Sequence, residues 1–188
     1  HKIEKYYDFS IRQTILNEAR DLKLVASNYH NRAYNNPELL IYNLKNSMNK
    51  LAAKIQLEGG ARIEGVALIK PEQLLGIKID KVTKTQKGII FTKEKGGKQG
   101  EVLVSLETYA ELENYLSLNS KFKINRQDYY NDIKQAAIIS KEVSEGSHGL
   151  RWNFAKRRMF EYGKADYSYY DSLQEVSYEM KHNRASIT

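Results

Sequence analysis

The segment GSHGLRWNFAKRR, residues 146–158, sets His148 three residues before Arg151 and follows them with Lys156, Arg157 and Arg158. At helical spacing a residue and its third neighbour share a face, so one imidazole and one guanidinium can meet the same ligand. Either this is a basic, solvated helix start, or the pair is aimed at a group that carries negative charge. Other cations stand at element edges. Arg62 follows Gly59-Gly60 at the head of a helix, where a side chain can reach a ligand over the helix N-terminus. Lys95 lies in KEKGGK, a Gly-rich hairpin turn, and His182 follows the last helix. Singly, each has an ordinary reading: a surface arginine, a solvated turn lysine, a histidine interacting with a helix dipole. Jointly, two guanidiniums that stay charged at every working pH offer planar forks matched to phosphate oxygens.

Composition narrows the alternatives. The chain has 188 residues, 41% apolar and 28% charged, with only two prolines, so one domain with a real core is expected and disorder is not. Its formal net charge of +7 suits either a polyanionic partner or a solvated basic surface. The lack of cysteine removes disulfides, thiol catalysis and thiolate zinc sites together. There is no GxxxxGK[ST] loop, no GxGxxG after a strand, no HExxH and no GxSxG. The four histidines form no close cluster with acidic residues, so no metal site and no cofactor are expected. No apolar run approaches the roughly 20 residues that span a bilayer, and HKIEKYYDF lacks the pattern of a signal peptide. A start at His rather than Met predicts a fragment of something longer.

The elements that must position these cations follow from hydrophobic period. Residues 8–28 place Ile11, Ile15, Ala19, Leu22 and Val25 at helical spacing. Asn36 before Pro37 is a good helix start, and from there one helix is expected, carrying Leu40, Tyr42, Leu44, Met48, Leu51, Ala52 and Ile55 on a stripe until Gly59-Gly60 stops it. ARIEGVALIK reads as a shorter helix ended by Pro71. The period then changes: 76–83, 88–95 and 100–106 are short, β-branched and separated by Lys/Gly turns, as in a small antiparallel sheet. Helical spacing returns at 106–117, 127–144, 150–162 and 172–182. The expected class is mostly α (α+β), helices around a three-stranded meander.

In this order, the motifs resemble the catalytic domain of the tyrosine recombinase (phage integrase) family over about residues 45–188. GGARIEGVALI resembles its first arginine motif and assigns Arg62. GIIFTKEKGGKQGEVLV resembles the β-hairpin lysine motif and assigns Lys95, with Lys98 the neighbouring alternative. HGLRWNFAKRRM resembles the HxLRHTFA box, assigning His148 and Arg151, and LQEVSYEMKHNRASIT resembles the LGHxxxxxT segment, assigning His182. There are departures. Gly65 stands where the family commonly has an acidic residue, with Glu64 one place earlier; Trp152 replaces a frequent histidine, and Lys181 a usual glycine. The family's nucleophilic tyrosine would fall just beyond Thr188, and none of the fourteen tyrosines present stands at the motif position.

The resemblance implies a site-specific recombinase or integrase that cleaves and rejoins DNA without a metal, through a 3′-phosphotyrosyl intermediate. Arg62 and Arg151 would meet the charge on the scissile phosphate, and Lys95 would protonate the leaving 5′-oxygen. His148 would position the nucleophile and handle its proton, and His182 would donate to a phosphate oxygen. Lys98, Lys156 and Arg157 would contact the DNA backbone. The expected organisation is a leading helix and linker over 1–35 and the catalytic domain over 36–188. The expected partner is double-stranded DNA, bound as a homo-tetramer on paired sites by the whole protein and as a monomer by this stretch. The expected setting is the cytoplasm of a prokaryotic cell, at the nucleoid, with no membrane. The alternative is a DNA-binding module that uses the same basic surface without chemistry.

Overall fold

The computed structural model describes residues 31–182, together with Thr14, Ile15, Asn17 and Glu18, which are helical. The rest of the helix expected over 8–28, and the residues after His182, lie outside the described residues. Asn36 caps α1 (Pro37–Tyr42) by accepting from the N–H of Leu39, with Pro37 at its first position. The single long helix expected from here is instead two, because α2 (Ser47–Gly59) begins anew at Asn46, whose side chain accepts from the N–H of Met48. Asp132 makes the break durable. Its carboxylate takes the free N–H groups of Lys45 and Asn46 and the amide of Asn49. Tyr42, expected on the buried stripe, is 75% exposed, while Leu44 in the break is buried.

The expected helix after the glycine pair shrinks to one turn, α3 (Ile63–Val66). The following residues are drawn out by pairing with a distant segment: Phe122 N–H donates to the Ile69 carbonyl at 2.7 Å and Ile124 N–H to that of Ala67. A 3₁₀ turn, Pro71–Gln73, then leads into the antiparallel sheet β1 (Leu74–Ile79), β2 (Gln86–Lys93) and β3 (Gln99–Val104), in spatial order β1-β2-β3. A bulge interrupts the β1–β2 register between Leu74 and Ile77. The β2–β3 register runs from Gly88 opposite Val104 to Lys93 opposite Gln99. The helices α4 (Leu106–Leu118), α5 (Arg126–Ile139), α6 (Gly146–Lys164) and α7 (Tyr169–Glu179) complete the order.

Two apolar clusters hold these pieces. The larger is built on α2, whose Leu51, Ala52, Ala53 and Ile55 are buried among α4, α5, α6 and the sheet. The smaller joins Phe154 and Tyr162 of α6 to Val176 and Met180 at the end of α7, with Val82 from the β1–β2 turn. Tyr109 fastens α4 to the sheet: its hydroxyl accepts from Gly76 N–H, and its ring fills the place a side chain at Gly88 would need. Tyr34, ahead of α1, is also buried, bonded to Asn153 of α6 and packed where a Cβ on Gly149 would stand. The glycine of the HGLR motif is thus a close-approach residue. No helix among the described residues is long and apolar enough to cross a membrane.

Candidate active site

The site begins with the turn that ends α2. Gly60 has φ +66°, and a Cβ there would lie 2.5 Å from the Phe154 ring, so both backbone and packing require glycine. That turn does two things. It sets Arg62 as the cap residue of α3, in extended conformation with its side chain partly exposed. It also turns the Gly60 carbonyl toward α6, where it accepts from Nη1 of Arg151.

Arg151 is 2% exposed. Its Nη2 donates to the Met180 carbonyl at 3.3 Å and lies 3.4 Å from Nε2 of His182. Its Nε is buried with no hydrogen-bond partner. Burial draws the guanidinium down to about 10, aided by Arg62 and opposed by Glu94 and Glu64. At that value it is still charged at neutral pH. No carboxylate among the described residues is bonded to it: carbonyls take its direct bonds, and Glu94 and Glu64 act on its charge only through space.

Arg62, His148 and Arg151 line one cavity of about 250 Å³, with Gln56, Ile63, Glu64 and Ser147. His148 sits in the first turn of α6 and is solvent-exposed, with its pKa lowered by surrounding protein and by Arg151, Arg32 and Arg62. His182 lies just beyond the α7 end. Burial, then Arg151, Arg62, Lys98 and His148, push its imidazole down to about 4, so it is neutral at physiological pH. Four of the sequence-derived residues are therefore brought near one another by three separate stretches of chain: the α2–α3 turn, the start of α6 (which carries two) and the end of α7, where His182 meets Arg151 behind the cavity.

The remaining residues are placed differently. Lys95 opens the turn Lys95–Gly97 at the β2–β3 tip, but its side chain lies outside the described residues. Lys98, on the same turn, is close enough to His182 to affect its titration. Lys156 is exposed on α6. Arg157 is tied down: its Nη2 donates to the carbonyls of Leu57 at 3.1 Å and Glu58 at 2.9 Å, at the last turn of α2.

Sequence reasoning missed two charged groups here, Glu94 and Lys181. Glu94 directly follows β2 and has a fully buried side chain that accepts from Arg62 Nη1 at 2.7 Å, Arg62 N–H at 3.1 Å and Lys181 Nζ at 2.9 Å. Burial pushes this carboxyl up, but Lys181, Arg62 and Arg151 outweigh that and hold it below the usual carboxylate range. Burial lowers the Lys181 ammonium, with Glu94 opposing. The available signals were an acidic residue within a basic hairpin tip and a lysine where the motif has glycine.

Helices packed around a three-stranded antiparallel sheet, with a hairpin beside a cationic cavity, define a tyrosine-recombinase-like α+β fold. No protein-family model and no curated protein sequence matches the chain. Among solved structures it resembles the XerH site-specific recombinase bound to palindromic difH substrate in a post-cleavage complex, with TM-score 0.61, 17% identity, and coverage of 87% of this chain and 49% of that one. It also resembles XerH bound to difH substrate in a pre-cleavage complex, with TM-score 0.59, 16% identity, and coverage of 87% and 51%. The chain thus spans about half the length of these recombinase chains.

Proposed function

We propose that this chain is the catalytic domain of a site-specific DNA recombinase that breaks and rejoins double-stranded DNA by transesterification. The observation that carries the reading is the Arg62–His148–Arg151 cavity, with the buried, unpartnered Nε of Arg151 beneath it. Such a cavity suits one phosphodiester. Attack on phosphorus moves charge onto the non-bridging oxygens, and the two guanidiniums meet it with donors fixed in advance. Preorganised donors of this kind contribute about 3–4 kcal/mol each in the transition state.

In this reading a tyrosine hydroxyl loses its proton to or past His148 and bonds to phosphorus, while the 5′-oxygen leaves and takes a proton from Lys95. The 3′-phosphotyrosyl ester keeps the bond energy, so that a 5′-hydroxyl from another strand can reverse the step. Neutral His182, beside Arg151, donates to a phosphate oxygen. No tyrosine among the described residues lines the cavity. Four protomers on paired sites, at the nucleoid of a prokaryotic cytoplasm, are the corresponding assembly and setting.

A nicked suicide duplex tests the reading. A version of the protein that carries a tyrosine shortly after His182 should yield a covalent adduct that survives denaturant. Arg151→Ala should reduce adduct formation by about 10²–10³-fold while most DNA binding remains. DNA binding without any adduct would mean a binding module that uses the same surface without chemistry.

A further inference from the structure

Three stretches that are far apart in sequence meet at one atom group: the carboxylate of Glu94. It stands between β2 and the hairpin turn, takes both the side chain and the backbone N–H of Arg62, and takes the ammonium of Lys181, the residue before His182. The Glu94–Lys181 pair is out of water, with the Glu94 side chain 0% and the Lys181 side chain 6% exposed, while the Arg62 side chain stays partly open to the cavity. Two backbone features are arranged around it. A Cβ on Gly65 would lie 2.8 Å from Glu94 Cγ, so the absent side chain in α3 is the space that the glutamate occupies. Lys181 has φ +57°, the left-handed conformation that usually selects glycine at the end of a helix. The chain closes there as such an end does, with Lys181 N–H donating to Tyr178 and His182 N–H to Ser177. A lysine holds this costly conformation where its ammonium reaches Glu94.

We propose, resting on the functional reading above, that Glu94 is a positioning residue: one buried carboxylate that sets the Arg62 fork and locks the Lys181–His182 segment against the hairpin turn. It does not touch the substrate. It aligns groups that do, and it leaves the cavity with a positive surplus because Arg151 is not bonded to it.

Charge and position predict opposite signs, which makes the role testable in this chain. Glu94→Gln removes the charge and keeps the shape. Because it leaves Lys181 buried without a counter-charge, Glu94→Gln/Lys181→Met is made beside it as the variant that folds without that penalty. Two readouts are taken: affinity for a short labelled DNA duplex at low salt, and the NMR titration of His182. If Glu94 merely offsets charge, Glu94→Gln tightens duplex binding and lowers the His182 pKa further, since Arg151, Arg62, Lys98 and His148 still face it. If Glu94 positions, both variants bind the duplex about fivefold more weakly, and the His182 pKa rises from about 4 toward the free value as the segment leaves its cations. Equal or tighter binding by the folded double variant, with His182 unmoved, overturns the proposal. Should the unmodified chain fail to bind duplex at all, the recombinase reading falls, and the His182 titration alone still decides for or against positioning by Glu94.

Discussion

Arg151 and Arg158 lie about two turns apart on α6, a spacing that puts them on nearly the same face, and their surroundings are opposite. The Arg158 side chain is 7% exposed and meets three carboxylates: a two-bond fork to Asp80 at 2.7 and 2.9 Å, Glu179 at 2.7 Å and Glu161 at 2.9 Å. Burial works against its charge, but Asp80 and Glu179 raise its pKa above the ordinary arginine value. Arg151 is as deeply buried, yet it meets carbonyls and a neutral imidazole, keeps one N–H unpartnered and has its pKa lowered. The contrast teaches that burial alone does not mark a functional arginine. A guanidinium whose donors are all taken by carboxylates ties elements together, here α6, α7 and the β1–β2 turn. One left short of negative charge has a use for an incoming anion. Cavity size points the other way. The cleft beside Arg158 is about 650 Å³, but its six acidic and five basic lining residues largely answer one another.

The largest effect should come from breaking the satisfied cluster. Arg158→Met leaves Asp80, Glu161 and Glu179 facing each other and should cost about 3–5 kcal/mol, read from the urea unfolding midpoint. Arg151→Met should cost about 1 kcal/mol or less, because losing its bonds is partly offset by relief of an under-compensated buried charge. Equal losses for the two would erase the distinction between them.

Acid should separate the two regions next. Burial raises the Asp80 carboxyl, but Arg158 and Thr83 hold it well below the usual range. A depressed carboxylate contributes stability that is present above its unfolded pKa near 4 and is lost as pH falls below that. His182 acts in a higher window. Its folded value of about 4 lies below the free 6.5, so the unfolded state binds the extra proton and stability rises with pH between those values. Arg158→Met should therefore flatten the pH dependence below about pH 4, and His182→Gln that between about 4 and 6.5. Bound duplex should raise the His182 pKa, since a phosphate supplies the negative charge its cations lack.

Smallest are the two neighbours between the arginines. Arg157→Ala loses two carbonyl bonds at the α2 end and should cost about 1 kcal/mol. Lys156→Ala should leave stability within about 0.5 kcal/mol and lower the salt slope of duplex binding by about one phosphate contact.

The order of elements was legible from local period, and so were the bounds of α4 and the existence of the three-stranded meander, because neighbours three or two residues apart encode their own geometry; the strands nonetheless begin and end up to four residues earlier than expected, and α6 starts at Gly146 rather than at residue 150. Arg62, His148, Arg151 and His182 were legible as a spaced motif. What the sequence could not express was charge pairing and strand-like pairing across distance. Asp132 divides the helix expected from Pro37 to Gly59, and Phe122 and Ile124 unwind the one expected after Arg62, from positions that no local pattern connects. Arg157 and Arg158 read alike as cations, and only folding sent the first to helix carbonyls and the second to three carboxylates. Glu94 carried no role on sequence; Arg62 is 32 residues before it and Lys181 is 87 after it. Side-chain chemistry is written residue by residue, but the field each charge experiences is set by whichever distant charges and dipoles the packed core brings within a few ångströms, and that only the tertiary structure decides.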